Sequence, residues 1–428
     1  MNKFFHITLF AVFLANSAIA DLGGEISFEN RYFPKNVANS TGTEKEDYNL
    51  SAYGRFYLEN TNENFSYKLS AFGRFDALDE KRRFFSIEDL YLEKSFSEVM
   101  KLSLGYKVYN FSVLEIFHPT DILNSRNFDG DFERLEKRGE MSLEYGLYSL
   151  TSSLSFYYFP LVEKNIYPGA KSRFGYDRTF DTYKVATEDE IITNKRFHPQ
   201  YGVKANTKIS DFDLSFFYFK HIDRNHPLFL FDDYITSPML LPKNSKAIVP
   251  HLYEVQDYGF SLVGEISGTL LKFESVYHDF SKPKEALLYD GARFLLFAPE
   301  NYMEGALGLE YLISLENGHD VTLFAEWQKI IFEKNSYQKM AIPFQDDLAL
   351  GFRYALNDIA GTEFYTFILG DLSGREEGVV STKFSRRFNE RIRYEVAGRY
   401  IWAQETDNFG LRALKDDHYL SFNLRYFY

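Results

Sequence analysis

The chain has 428 residues, with 48 Lys plus Arg against 61 Asp plus Glu, for a formal net charge of −13. That balance argues against nucleic acid as a partner, because phosphate recognition needs a basic face. There is no Cys, so no disulfide staples the fold, and Pro is sparse at 12.

The first residues read as an export leader. Met1-Asn2-Lys3 is a short basic start, residues 4–14 are an apolar run, and Ala18-Ile19-Ala20 is a small-residue cleavage pattern. The run is too short for a membrane anchor, which needs about 20 apolar residues. Residues 1–20 are therefore expected to be a cleaved signal peptide, and 21–428 a single domain without linkers.

Beyond residue 20 no apolar run approaches the length of a spanning helix, and mean hydropathy is −0.33. Strands that alternate apolar and polar residues average to such mild values even when they cross a membrane. The 32 Tyr and 44 Phe are the better clue, since aromatic rings gather at membrane–water interfaces.

The period along the chain is two, which predicts strands. Near the start, Ala52, Gly54, Phe56 and Leu58 alternate with Tyr53, Arg55, Tyr57 and Glu59. After a polar turn at 60–64, Phe65, Tyr67, Leu69, Ala71 and Phe75 alternate with Ser66, Lys68, Ser70, Arg74 and Asp76. That pair is a hairpin with one apolar and one polar face. The segment 82–96 alternates least cleanly. Further on, Phe212, Leu214, Phe216 and Tyr218 form one face against Asp213 and Ser215. Val321, Leu323, Ala325 and Trp327 oppose Thr322, Glu326 and Gln328, and Ile392, Tyr394, Val396 and Tyr400 oppose Arg393, Glu395 and Arg399.

Connections alternate in length. Short turns are expected at 60–64, 97–100, 146–148, 209–211, 267–269, 315–319, 357–361 and 389–390. Longer segments lie at 35–47, 110–136, 161–198, 222–253, 279–302, 330–344 and 402–416, with two brief exceptions at 77–83 and 372–377. Short turns at one end and long loops at the other predict an all-β, antiparallel, up-and-down transmembrane barrel of about 18 strands, with 16 as the other count. In the last strand Leu420, Phe422, Leu424 and Tyr426 alternate with Ser421, Asn423 and Arg425, and the chain stops at Tyr428.

These features resemble the porin-like barrels of Gram-negative outer membranes, most closely the OprD-type and alginate-export-type proteins. The resemblance covers the whole mature chain as architecture. Residues 104–124 are similar to a strand–aromatic–D-x-L-N stretch of large porin-like proteins, here ending Asp121-Ile122-Leu123-Asn124, with Phe111 where a Trp is usual and Tyr106–Lys107 where an Arg–Gln pair is usual. The terminal strand is similar to the assembly signal of outer-membrane barrels. The resemblance implies a cell outer-membrane location reached through the periplasm, with lipid and lipopolysaccharide around the barrel. It also implies the barrel assembly machinery as a partner through the strand ending at Tyr428, small hydrophilic solutes as cargo, and an oligomer as one option.

The third connection at the long-loop end, 110–136, mixes apolar residues with Glu115, Asp121, Arg126, Asp129 and Asp131. Apolar side chains in a loop favour packing inside the protein over exposure to water, so this segment is the candidate constriction loop. If the apolar faces meet lipid, the polar faces line the lumen, since Arg at the bilayer midplane costs about 2–4 kcal/mol. The candidate pore-lining bases are Arg31, Arg55, Arg74, Arg353, Arg393, Arg399 and Arg425. Barrel closure places Arg399 and Arg425 beside Arg31, Arg55 and Arg74, and such a wall favours anions. Interspersed acids leave the alternative that these charges pair with one another.

No phosphate-cradling glycine loop, H-E-x-x-H or G-x-S-x-G occurs, so neither a catalytic residue, a cofactor nor a metal ligand is assigned. Asp129-Gly130-Asp131 and Asp232-Asp233 read as turn-forming acids. The leading expectation is a non-enzymatic channel for small hydrophilic solutes, anions among them; an export pore for an anionic exopolysaccharide and a barrel enzyme such as a lipase or protease are the rival readings.

Overall fold

The structure, a computed structural model, describes residues 21–37, 45–62, 64–130, 136–175, 180, 182–231, 248–281, 299–333, 342, 344–404 and 410–428. Residues 1–20, Asp131 and Asp232-Asp233 lie outside the described residues.

The first strands are β1 (Asp21–Tyr32), β2 (Tyr48–Thr61), β3 (Phe65–Asp76), β4 (Phe84–Ser97), β5 (Met100–Lys107), β6 (Glu140–Tyr148) and β7 (Ser152–Leu161). Two short strands follow, β8 (Lys184–Ala186) and β9 (Ile191–Thr193), then β10 (Phe197–Ile209), β11 (Phe212–Ile222) and the short β12 (Leu228–Phe231). The remainder are β13 (Ile248–Ile266), β14 (Thr269–Phe280), β15 (Tyr302–Ser314), β16 (Asp320–Phe332), β17 (Asp346–Ala355), β18 (Glu363–Asp371), β19 (Gly378–Arg387), β20 (Ile392–Trp402) and β21 (Tyr419–Phe427).

Leaving aside β8, β9 and β12, each strand pairs antiparallel with the next, and β21 pairs with β1 through Phe28↔Leu424 and its neighbours. The result is a closed barrel of 18 strands. Closure satisfies every edge, which is the condition for crossing lipid with strands. Both ends of the described chain lie at the end of the barrel that carries the short turns. One of these turns, Ser267–Gly268, has φ of 53° and 81°. A two-residue turn with both central residues in the left-handed region matches the twist of its flanking strands, and glycine takes the second position without strain.

Period-two alternation places Leu22, Ile26 and Phe28 of β1, and Leu420, Phe422, Leu424 and Tyr426 of β21, on the exposed outer wall. So extensive an apolar exterior is stable where it meets lipid rather than water. The expected turn at 146–148 falls later, because β6 continues to Tyr148 and the chain reverses at 149–151. The irregular alternation of 82–96 has a physical cause. The β3–β4 register slips between Ser70 and Ala71, whose partners are Asp89 and Ile87, so Glu88 is an extra residue in a bulge.

The inner wall is less uniformly polar than alternation implies. The run Phe216–Phe219 puts rings on both faces, and Phe217 and Phe219 are buried inside with Tyr109, Tyr157 and Phe159. A second buried cluster joins Leu114 and Phe117 to Phe324, Tyr365 and Phe367. The apolar core of this barrel therefore lies within its lumen, where it receives the segment between β5 and β6. The short strands build a small extension on β13: β8 pairs with it in parallel and β12 antiparallel.

Candidate functional site

The chain leaves β5 at Lys107 and re-enters the wall at Glu140, and the described residues between them fold inward. Two carboxylates fasten it. Glu274, midway along β14, accepts hydrogen bonds from the Ser112 hydroxyl at 2.7 Å and from the Val113 N–H. It also accepts the Thr120 N–H at 3.0 Å and the Thr120 hydroxyl at 2.7 Å. Glu326, midway along β16, accepts the N–H groups of Glu115, Ile116 and Phe117 at 2.6, 2.9 and 3.2 Å. Successive N–H groups turned toward one carboxylate satisfy loop backbone that would otherwise be buried without partners. Both anchors sit at the middle of their strands, so the loop crosses the lumen at mid-height.

Apolar packing completes the dock. Leu114 lies against Gly308, where an added Cβ would stand 2.5 Å from Leu114 Cδ2. The missing side chain at Gly308 is what lets the loop approach the wall.

The base of the loop is organised by Asp121. Its carboxylate accepts the Phe111 N–H at 2.8 Å and pairs with Lys137 at 2.5 Å, while its carbonyl accepts from Arg126 and, at 2.8 Å, from Asn225. Burial alone would raise the Asp121 carboxyl, but Lys137, Arg126 and the Phe111 N–H hold it below its usual range. At the loop's return, Glu136 pairs with Arg74 at 2.6 Å, and Arg74 also binds Glu29 at 2.9 Å.

By running from β5 and β6 to β14 and β16, the loop divides the ring of strands into two arcs. The shorter holds β7, β10, β11 and β13; the longer runs from β17 through β21 to β1–β4. Arg31, Arg55, Arg74, Arg353, Arg393, Arg399 and Arg425 all belong to the longer arc. Their partners differ. Arg74 is buried between Glu29 and Glu136. Arg55 pairs with Glu88 at 2.7 Å. Arg353 lies 3.3 Å from Glu115 and 3.8 Å from Glu363. Arg425 stands 3.7 Å from Glu395, directly across from Arg393, which bonds Ser385 at 2.6 Å. Arg31 and Arg399 flank the Tyr419 ring at 5.3 and 5.2 Å. Of the loop residues, Glu115 faces this arc, Asp121 and Arg126 build the loop base, and Asp129 is buried beneath Ser172 and Arg82.

No protein-family model matches the sequence, and no curated protein matches it. Solved structures do. Acinetobacter baumannii OccAB3 aligns with TM-score 0.50 and 12% identity over 95% of this chain and 99% of that chain. Salmonella typhi OmpF, in a complex with daunomycin, aligns with TM-score 0.46 and 11% identity over 96% of this chain and 97% of that one. A mutant porin of Rh. blastica gives 0.42 and 11% over 96% and 100%. The fold is that of a porin. At such identities the likeness is one of fold, and the porin fold here carries its own loop anchors.

The mouth of this porin fold is strapped as well. Arg173, between β7 and β8, reaches across to the segments beside β1, β2 and β21. It bonds Asp47 at 2.6 Å, the Glu46 carbonyl at 3.1 Å, the Lys35 carbonyl, and Asp417 at 3.4 Å. Burial pushes the Asp417 carboxyl up to about 6, against the pull of Lys45 and Arg173. Sequence reasoning did not single out Glu274 or Arg173. Each is one charged residue in an ordinary stretch, and only the fold shows what it holds. Among the described residues no group of three or more His, Asp or Glu is arranged to hold a metal ion.

Proposed function

We propose that this protein is an outer-membrane channel for small hydrophilic solutes with a preference for anions. The observation that carries this reading is the loop fixed at mid-height, together with the placement of all seven arginines on the arc that runs from β17 through β21 to β4. Guanidinium groups that face water lower the energy of an anion in transit and raise that of a cation. Arg353 and Glu115, at 3.3 Å and both partly exposed, set the charge where the loop meets that arc. Residues 1–20 serve as the export leader, the strand ending at Tyr428 is presented to the assembly machinery, and lipopolysaccharide surrounds the long loops.

The porin fold supports diffusion rather than catalysis. A loop fixed across the lumen favours small solutes over a polymer chain, which places the exopolysaccharide pore second. The test is single-channel recording in a planar bilayer under a salt gradient. A reversal potential on the anion side is the expected result, and cation selectivity would overturn the preference. Folded protein that carries no current would overturn the channel.

A further inference from the structure

At the long-loop end of the barrel, away from the arginine arc, three histidines and three acids form one buried network. His221 of β11, Asp257 of β13, His278 of β14 and Glu304 of β15 come from four neighbouring strands. Asp223 and His226 join them from the connection that follows β11. His221 and Asp257 are each 1% exposed and His278 3%, so water does not share in their hydrogen bonds.

Those bonds fix the charge of one ring. His221 Nε2 lies 2.7 Å from the Asp257 carboxylate, and its Nδ1 lies 3.1 Å from the Ile222 carbonyl. Both partners are acceptors, so His221 serves them together only with a proton on each nitrogen, as the imidazolium. The second Asp257 oxygen accepts from His278 Nδ1 at 2.8 Å. His278 Nε2, buried without a hydrogen-bond partner, stands 3.8 Å from Glu304. His226 Nδ1 shares a hydrogen bond of 2.9 Å with the Tyr302 hydroxyl and lies 3.7 Å from Asp223. Two arginines complete the charged surroundings. Arg224 donates to the Ile222 carbonyl at 2.9 Å and pairs with Glu140 at 3.2 Å, and Arg126 acts on Asp223 and Glu304 through space.

A turn of five residues, 222–226, wires this network to the inward-folded loop. Its first carbonyl, that of Ile222, receives the His221 proton. The Asp223 carboxylate then accepts the N–H groups of Asn225 and His226 at 2.8 and 3.3 Å, an Asp-stabilised turn. From that turn the Asn225 side chain donates to the Asp121 carbonyl at 2.8 Å. One histidine ring and the base of the loop are therefore joined through a single short segment.

We infer that this network is a pH-operated latch on the loop: the His221 imidazolium holds the 222–226 turn against the loop base, and loss of its proton releases the turn. A neutral ring would direct a lone pair at one of its two acceptors, with no water to take the vacant bond. The sign is opposite to that of Asp121. Asp121 lets go in acid, whereas the latch gives way as rising pH removes the imidazolium proton.

The test is NMR of the folded barrel in detergent, read at the His221 ring nitrogens and at the methyl of Ile122, which is buried next to Asp121. Between about pH 6 and about pH 10, His221 is expected to pass from two ring protons to one. The Ile122 methyl should shift along the same titration curve. Asn225→Ala removes the bond to the Asp121 carbonyl without touching a titratable group; His221 should still titrate, and Ile122 should no longer follow it. His221→Asn should hold Ile122 at its high-pH position throughout. His319→Gln, at the turn between β15 and β16, should leave the wild-type curve unchanged. Asn225→Ala keeps the inference testable if His221→Asn fails to fold, and neither signal requires current, so the result is independent of the channel reading. A single ring proton on His221 at about pH 6, an Ile122 methyl that ignores the His221 step, or a shared step that survives in Asn225→Ala would each overturn the latch.

Discussion

Glu274 of β14 accepts both the backbone N–H and the hydroxyl of Thr120, at 3.0 and 2.7 Å, so one wall residue grips a loop residue twice. Glu274→Ala removes those acceptors together with the ones that serve Ser112 and Val113. With about 1–3 kcal/mol at stake for each buried donor left unpaired, the loop should leave the mid-lumen position. Single-channel recording is expected to show larger and noisier currents than wild type. Glu274→Gln keeps one acceptor oxygen and should fall between the two. Currents identical to wild type in the Ala variant would mean that the anchor is dispensable.

Gly308→Leu approaches the same dock from the packing side. Both hydrogen-bonding carboxylates remain, but the new side chain occupies the space of Leu114. Overpacking of this kind costs about 1–3 kcal/mol. The variant should give the same altered conductance as Glu274→Ala, and adding Leu114→Ala should restore the wild-type current. Failure of that rescue would show that the contact does not hold the loop.

Acidification should loosen the loop base. Asp121 has its carboxyl held below the ordinary value, so the stability it contributes is complete above the unfolded carboxylate range and is lost as pH falls through the depressed folded value. Hydrogen exchange at the Phe111 N–H is expected to be slow at neutral pH and to accelerate only at strongly acid pH. Asp121→Asn should exchange quickly at every pH. An acid-insensitive exchange rate in the wild type would remove Asp121 from the role.

Arg353→Gln tests the passage. It deletes a partly exposed guanidinium beside Glu115 and leaves the loop anchors intact. The reversal potential should move toward cation selectivity, by more than it moves in Arg74→Gln, because Arg353 is partly exposed whereas Arg74 is buried between Glu29 and Glu136. The opposite order would place the selective charge in the β3 wall.

Much of the barrel was legible because alternation is a local property. Leu420, Phe422 and Leu424 read as an outward face without any knowledge of their partners, and the outer wall agrees. The interior was harder. Phe217 and Phe219 look like outward residues out of register until the loop is present to cover them, and Glu88 is a bulge residue only once β3 is beside it. The inward folding of 110–136 rested on its apolar content, and Leu114 and Phe117 are the residues it buries. What fastens it was not readable: Glu274 and Glu326 are far from the loop in sequence, and a lone acid on a strand carries no sign of the N–H groups it will meet. The role of Asp129 is likewise set by Arg82 and Ser172, which the sequence does not place nearby.

The seam between β1 and β21 bears on how the barrel forms. Its hydrogen bonds, ending with those between Gly24 and Tyr428, join segments from opposite ends of the described chain. Contacts of such sequence separation are slow to form, since the chain must surrender its freedom before they reward it. Until the seam shuts, two strand edges stand open and adhesive. Formation of this seam is therefore the natural last step, and the moment at which an incomplete barrel is most exposed to pairing with the wrong neighbour.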